Sequence, residues 1–149
     1  MLKQVLDKVI VIAVNAHAGQ TDKAGFPYIL HPIRVMTSVK TIRQKIIAIA
    51  HDLFEDTNVT PSDLCAAGVP HDIVADIFLL TKEKGADYDE YLNRIKKSED
   101  ARAVKLADMK DNSNILRYHA LEEKHIKMAM KYHRGITILD PDYDERLEI

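Results

Sequence analysis

The sequence predicts an all-α helical bundle. Three observations predict it. Apolar residues recur at three- and four-residue spacing along most of the chain, no stretch alternates with period two for long enough to make a sheet, and Gly and Pro fall between the periodic stretches. The 149 residues are 46% hydrophobic and carry 21 Lys+Arg against 23 Asp+Glu, which excludes a disordered chain and supplies apolar material for a core. The expectation is a single domain over residues 1–149.

The elements follow in order. Leu2, Val5, Leu6, Val9, Ile10, Ala13 and Val14 share one helical stripe that ends near Gly19. Gln20 to Tyr28 is a loop, punctuated by Gly25 and Pro27. Pro32 suits the first turn of a helix running through Val35, Met36 and Val39. Ile42, Ile46, Ile47, Ile49, Ala50 and Leu53 form the most apolar helix, which belongs in the middle of the domain. Thr60-Pro61-Ser62-Asp63 reads as an N-cap, a first-position Pro and an acidic third residue, with Gly68 as the stop. Pro70 opens the next helix, carrying Ile73, Val74, Ile77, Phe78 and Leu80. Helices are predicted over Tyr88–Lys96, Glu99–Asn112 and Leu121–Arg134, the last closed by Gly135. Ile136-Thr137-Ile138 is the sole strand candidate, and the acidic tail from Asp140 either frays or packs on the basic helix before it.

Charge and composition narrow the function classes. The near-balance of charge speaks against a nucleic-acid partner. Arg117, Lys124, Lys127, Lys131 and Arg134 make a local basic segment with His119, His125 and His133, and its plain reading is a solvated helix face. The longest apolar stretch near the start, Val9 to Val14, falls far short of the roughly 20 residues that span a bilayer, so no membrane partner is expected. Asp7 and Lys8 interrupt any secretory h-region, and the lone Cys65 excludes an intramolecular disulfide. A cytoplasmic protein is expected, with its oligomeric state left open.

The chemistry lies where polar residues interrupt apolar helices. His51-Asp52-Leu53-Phe54-Glu55-Asp56 directly follows the run Ile46 to Ala50. On a helix His51 and Glu55 share a face, as do Asp52 and Asp56. Burying such groups unpaired is costly, and a metal ion is the natural partner for imidazole and carboxylate together. An adjacent His-Asp pair cannot chelate alone, so further ligands must come from other helices. His31 and Asp108 are the candidates, each beside apolar residues at a helix edge. The plainer alternatives are a capped core histidine at 31 and an i, i+4 hydrogen bond between Asp108 and Asn112.

The order of these signals resembles a known family. His17-Ala-Gly19-Gln20, then Lys23, Gly25, Pro27-Tyr28, His31-Pro32, His51-Asp52-Leu-Phe-Glu55-Asp56-Thr57 and Lys105-Leu-Ala-Asp108 with Asn112 resemble the HD-type hydrolase domain of Rel/SpoT alarmone enzymes. The stand-alone small alarmone hydrolases are the most similar of these. The resemblance runs from about His17 to Leu116 and implies an HD-domain helical bundle. It also implies one Mn2+-like ion held by His31, His51, Asp52 and Asp108, with Fe2+ or another divalent ion as alternatives. Mixed imidazole and carboxylate ligands with open positions suit such ions. By the same resemblance Glu55 and Asp56 assist attack of water, and Lys23 and Asn112 contact a small-molecule nucleotide substrate. For Lys23 an ordinary exposed loop lysine is the other reading.

The implied reaction removes the 3′-pyrophosphate of ppGpp or pppGpp. Two other readings stand beside it: hydrolysis of another nucleotide (a mononucleotide or an NADPH-type 2′-phosphate), and a nucleotide-binding regulator without turnover. The chain departs from the family at Asp22, where an Arg that stacks on the base is usual, and at Met109, usually basic. The first departure predicts a weaker hold on the base, and a gain in apparent affinity from Asp22→Arg.

Overall fold

Helices follow one another along residues 1–143, the part of the chain that this computed structural model describes. They are α1 (Leu2–Ala16), α2 (Leu30–Ser38), α3 (Ile42–Ala50), α4 (Leu53–Asp56), α5 (Pro61–Ala66), α6 (His71–Leu80), α7 (Tyr88–Ile95), α8 (Glu99–Asn112) and α9 (Glu123–Leu139), with a 3-10 turn at Ile115–Arg117. No strand occurs among the described residues, only an isolated bridge between Thr21 and Pro27. The acidic-tail reading falls mostly on residues 144–149, outside that range.

The most apolar helix is the central one. Ile46 to Ala50 of α3 are fully buried, and α3 packs on α1, α2, α6 and α8. Its start is fixed by Thr41, whose hydroxyl accepts from the Gln44 amide while the Gln44 side chain reaches back to the Thr41 amide. Arg43 then ties α3 sideways. Its guanidinium donates to Asp72 (2.6 Å) and Asp76 (2.9 Å) of α6 and to Asp100 (2.7 Å) of α8. The predicted cap at Thr60 is present, with Asp63 as its partner, and Gly68 ends that segment at φ +97°.

Three local expectations are corrected. The apolar run from Ile42 does not continue unbroken to Leu53. His51 Nδ1 takes the Ala48 carbonyl at 2.6 Å, the acceptor that residue 52 would use in an unbroken helix, and α3 stops at Ala50. Gly135 does not close the last helix, and Ile136-Thr137-Ile138 is helical rather than a strand. Gly135 serves close packing instead. A Cβ there would stand 2.7 Å from Met109 Cε and 2.9 Å from Tyr88 Oη, so α9 approaches α7 and α8 only because position 135 has no side chain. Met109, fully buried at that crossing, explains why an apolar residue follows Asp108.

Candidate metal centre and active site

Three elements deliver four side chains to one point. His31 comes from the first turn of α2, His51 and Asp52 from the break between α3 and α4, and Asp108 from α8. His31, His51 and Asp108 are all buried, and each offers one ligand atom within 4.8 Å of the others. Asp52 lies outside that trio, yet its Oδ2 is 3.0 Å from His51 Nε2 and 3.7 Å from His31 Nε2. Asp108 Oδ1 stands 3.0 Å from His31 Nε2 and 3.5 Å from His51 Nε2.

The hydrogen bonds on the far side of each ring decide which nitrogen is free. His51 Nδ1 faces the Ala48 carbonyl, which can only accept, so Nδ1 carries the proton. His31 Nδ1 donates likewise to the Asp111 carboxylate at 2.6 Å. A neutral ring at either position therefore turns an Nε2 lone pair toward two carboxylates. His51 Nε2 is buried with no hydrogen-bond partner. Burial lowers the proton affinity of both imidazoles, but the neighbouring carboxylates outweigh it and raise both above the ordinary range. The cluster calls for positive charge where the Nε2 atoms meet Asp52 and Asp108. A divalent cation supplies it with both rings neutral, so this His/Asp site fits such an ion.

A cavity of about 420 Å³ opens from this cluster, and Lys23, Glu55, Asp56, Asn112, Arg117 and Tyr132 are among its walls. Glu55 and Asp56, on α4 one turn beyond Asp52, face the cavity without joining the His/Asp cluster. Glu55 Oε1 accepts from the Lys82 amide. Burial first, opposed by that amide and reinforced by the charge of Asp52, raises the Glu55 carboxyl above its ordinary range. Burial and Asp52 raise Asp56 as well. Asn112 Nδ2 donates to Asp108 Oδ1 at 2.8 Å, the i, i+4 bond of the plainer reading, while also lining the cavity. Lys23 Nζ is exposed at the rim, 3.1 Å from Met128 Sδ.

No protein-family model matches the chain. A guanosine-3′,5′-bis(diphosphate) 3′-pyrophosphohydrolase of Vibrio cholerae is 39% identical over 67 residues, 42% of this chain and 10% of that protein. The bifunctional (p)ppGpp synthase/hydrolase SpoT of Escherichia coli is 36% identical over 63 residues, 40% of this chain and 9% of that protein. A GTP pyrophosphokinase of Myxococcus xanthus matches over 146 residues at 30% identity, 85% of this chain and 19% of its own length. The chain thus spans at most about a fifth of these relatives. A solved structure of a metazoan ortholog of SpoT shares the fold, with a TM-score of 0.69 and 22% identity over 97% of each chain. Over most of its length the chain is similar to the HD-type domain of the Rel/SpoT proteins.

Several residues that shape this HD-type site went unassigned in the sequence. Tyr28 donates its hydroxyl to Asp52 Oδ2 at 2.6 Å, and burial with the nearby Asp52 charge keeps that phenol protonated. Asp111 orients His31 and is itself gripped by Arg34 through bonds of 2.7 and 3.0 Å. Its signal was available: it lies three residues after Asp108, on the same face of α8. Lys105 Nζ donates to Asp108 Oδ2 at 2.8 Å, and although burial opposes the charge, Asp108 holds the ammonium well above its ordinary range. Gln20 joins His17 Nδ1 (2.8 Å) to the Asp56 carbonyl (2.9 Å), tying the loop after α1 to α4.

Asp22 lines the cavity, as the substrate reading expects, and it also has a local role. Asp22 Oδ1 accepts from the amides of Ala24 (2.9 Å) and Phe26 (3.0 Å), closing the loop as an Asx turn. An arginine there would lose both bonds, so Asp22→Arg would loosen this loop as well as change the charge of the cavity.

Proposed function

We propose that this HD-type domain is a metal-dependent hydrolase that removes the 3′-pyrophosphate of ppGpp or pppGpp, yielding GDP or GTP and pyrophosphate. The observation that carries the reading is the convergence of His31, His51, Asp52 and Asp108, with both imidazoles held so that Nε2 faces the carboxylates. The names of the curated relatives support the substrate. Mixed nitrogen and oxygen donors favour Mn2+ or Fe2+ over a closed zinc site. When bound, the ion lowers the pKa of water and stabilises charge on phosphoryl oxygens.

The remaining roles fall to the chain itself. Asp111 and the Ala48 carbonyl fix the rings of His31 and His51, and Tyr28 fixes the Asp52 carboxylate. Glu55, its carboxyl raised and lining the cavity, takes the proton of the attacking water, and Asp56 orients that water. Lys23 and Asn112, which both line the cavity, contact the nucleotide. The chain acts as one functional domain, built around an apolar cluster among the described residues. The free Cys65 suits a reducing, cytoplasmic setting, and among the described residues no helix is long and apolar enough to cross a membrane.

The test is turnover of purified protein with Mn2+ against ppGpp, NADPH and common mononucleotides, with phosphate and pyrophosphate measured separately. Pyrophosphate released from ppGpp, and lost in His51→Ala, is the expected result. Phosphate release from another nucleotide, or no turnover of ppGpp, overturns the reading.

A further inference from the structure

Arg117 stands out in the cavity wall because its charge is opposed while its donors are unused. It ends the 3-10 turn after α8, and its side chain is 21% exposed. Its Nη1 lies 3.6 Å from Asp22 Oδ2 and 3.9 Å from Asp111 Oδ2, too long for hydrogen bonds, and its Nε is buried without any hydrogen-bond partner. The other basic groups of the cavity are differently placed. Lys105 is committed to Asp108, and Lys23 stands exposed on Met128. A guanidinium is a planar fork of five donors shaped for phosphate or carboxylate oxygens, and leaving a buried N–H unpaired is costly. Asp22 is already occupied through Oδ1 with two loop amides, and Asp111 with His31 and Arg34. Neither carboxylate closes on the fork.

We infer that Arg117 is a second anion site of this cavity, receiving the 5′-diphosphate of the nucleotide, the phosphate group that does not lie at the His/Asp cluster. The assignment rests on the nucleotide reading above. Asp22 acts as the holding partner: it keeps the guanidinium in the wall at 3.6 Å and yields it when a phosphate arrives. Charge-assisted bonds from an arginine fork to phosphate are among the stronger polar contacts, so the contribution should be visible in equilibrium binding.

The experiment compares binding of GDP and of guanosine, by calorimetry, to the Mn2+-loaded protein and two variants. Arg117→Met keeps the length of the side chain and removes its donors. Asp22→Asn keeps the Oδ1 acceptor that closes the loop and removes the competing charge. The wild type should prefer GDP over guanosine. That preference should fall about tenfold or more in Arg117→Met and rise in Asp22→Asn. If the Asp22–Arg117 pair is only a strut, the two variants will behave alike, which overturns the assignment. So does an unchanged preference in Arg117→Met, or no preference in the wild type. Should Arg117→Met fail to fold, as read by circular dichroism, Asp22→Asn decides alone: a rise supports the site, and no rise refutes it. The readout is binding rather than turnover, so a protein that never cleaves ppGpp can still pass this test, and one that cleaves it can fail.

Discussion

Replacing Asp111 by alanine isolates the grip on one candidate ligand. The Asp111 carboxylate holds His31 Nδ1 at 2.6 Å, and Arg34 holds Asp111 in turn with bonds of 2.7 and 3.0 Å. In Asp111→Ala the imidazole keeps its place on α2 but loses the partner that fixes its rotation and its tautomer. Losses of this kind typically weaken ion binding by about 10–100-fold, equivalent to roughly 1.4–2.8 kcal/mol. Arg34 would be left without its partner, but it is 36% exposed and water can take over, so the stability cost should stay below about 1 kcal/mol. Calorimetric titration with Mn2+ measures the first effect and thermal melting of the ion-free protein the second. Arg34→Met is the control, because it removes the ion pair and leaves the bond to His31. Mn2+ affinity within twofold of wild type in Asp111→Ala, or an equal loss in Arg34→Met, refutes the argument that Asp111 acts through His31.

Four further outcomes follow from the same geometry. Glu55→Gln should retain Mn2+ and lose turnover by about 10²–10⁴-fold, as expected for a general base; equal loss of ion and rate would make Glu55 a ligand. Burial, then the charge of Asp52, raises the Glu55 carboxyl, and a base works only deprotonated, so kcat/KM should fall as the pH drops through that raised value. The acid limb should therefore lie above the ordinary glutamate region near about 4.3 and be absent from the residual activity of Glu55→Gln. Tyr28→Phe removes the 2.6 Å bond to Asp52 and should weaken Mn2+ binding by about tenfold; an affinity equal to wild type would show that Asp52 needs no such support. Gly135→Ala forces a Cβ to within 2.7 Å of Met109 Cε and should cost about 1–3 kcal/mol, lowering the melting temperature by several degrees; an unchanged melt would mean that Met109 and Tyr88 move aside freely.

How much of this was legible in the sequence depended on the range of the interaction. The apolar stripes of α1, α3 and α6 and the cap at Thr60 are written in neighbouring residues, and they were readable as such. The His51-Asp52 pair was conspicuous because it breaks an apolar run, and His31 and Asp108 because they sit beside buried residues. The stop at Ala50 was not readable, since it depends on a side chain taking a carbonyl of its own helix. Gly135 misled for a similar reason. Locally a glycine after a basic stretch looks like a helix end, whereas its role is set by Met109 and Tyr88, distant in sequence. At Asp22 the sequence shows the departure in charge but not the partners, which are the amides of its own loop and an arginine 95 positions further on.

Lys105 has a consequence for how the cluster handles an ion. Its ammonium takes one oxygen of Asp108 and leaves the other facing the imidazoles, so a cation permanently built into the wall already answers one of the two carboxylates. A divalent ion arriving there would meet one uncommitted oxygen of Asp108 beside Asp52, and the carboxylates of Glu55 and Asp56 in the cavity wall would share its remaining charge. The ion would thereby offset the repulsion between those carboxylates and a polyanion, and incoming phosphates would in turn add to the hold on the ion. Ion and substrate should therefore bind with positive linkage, each raising the affinity for the other by the same factor.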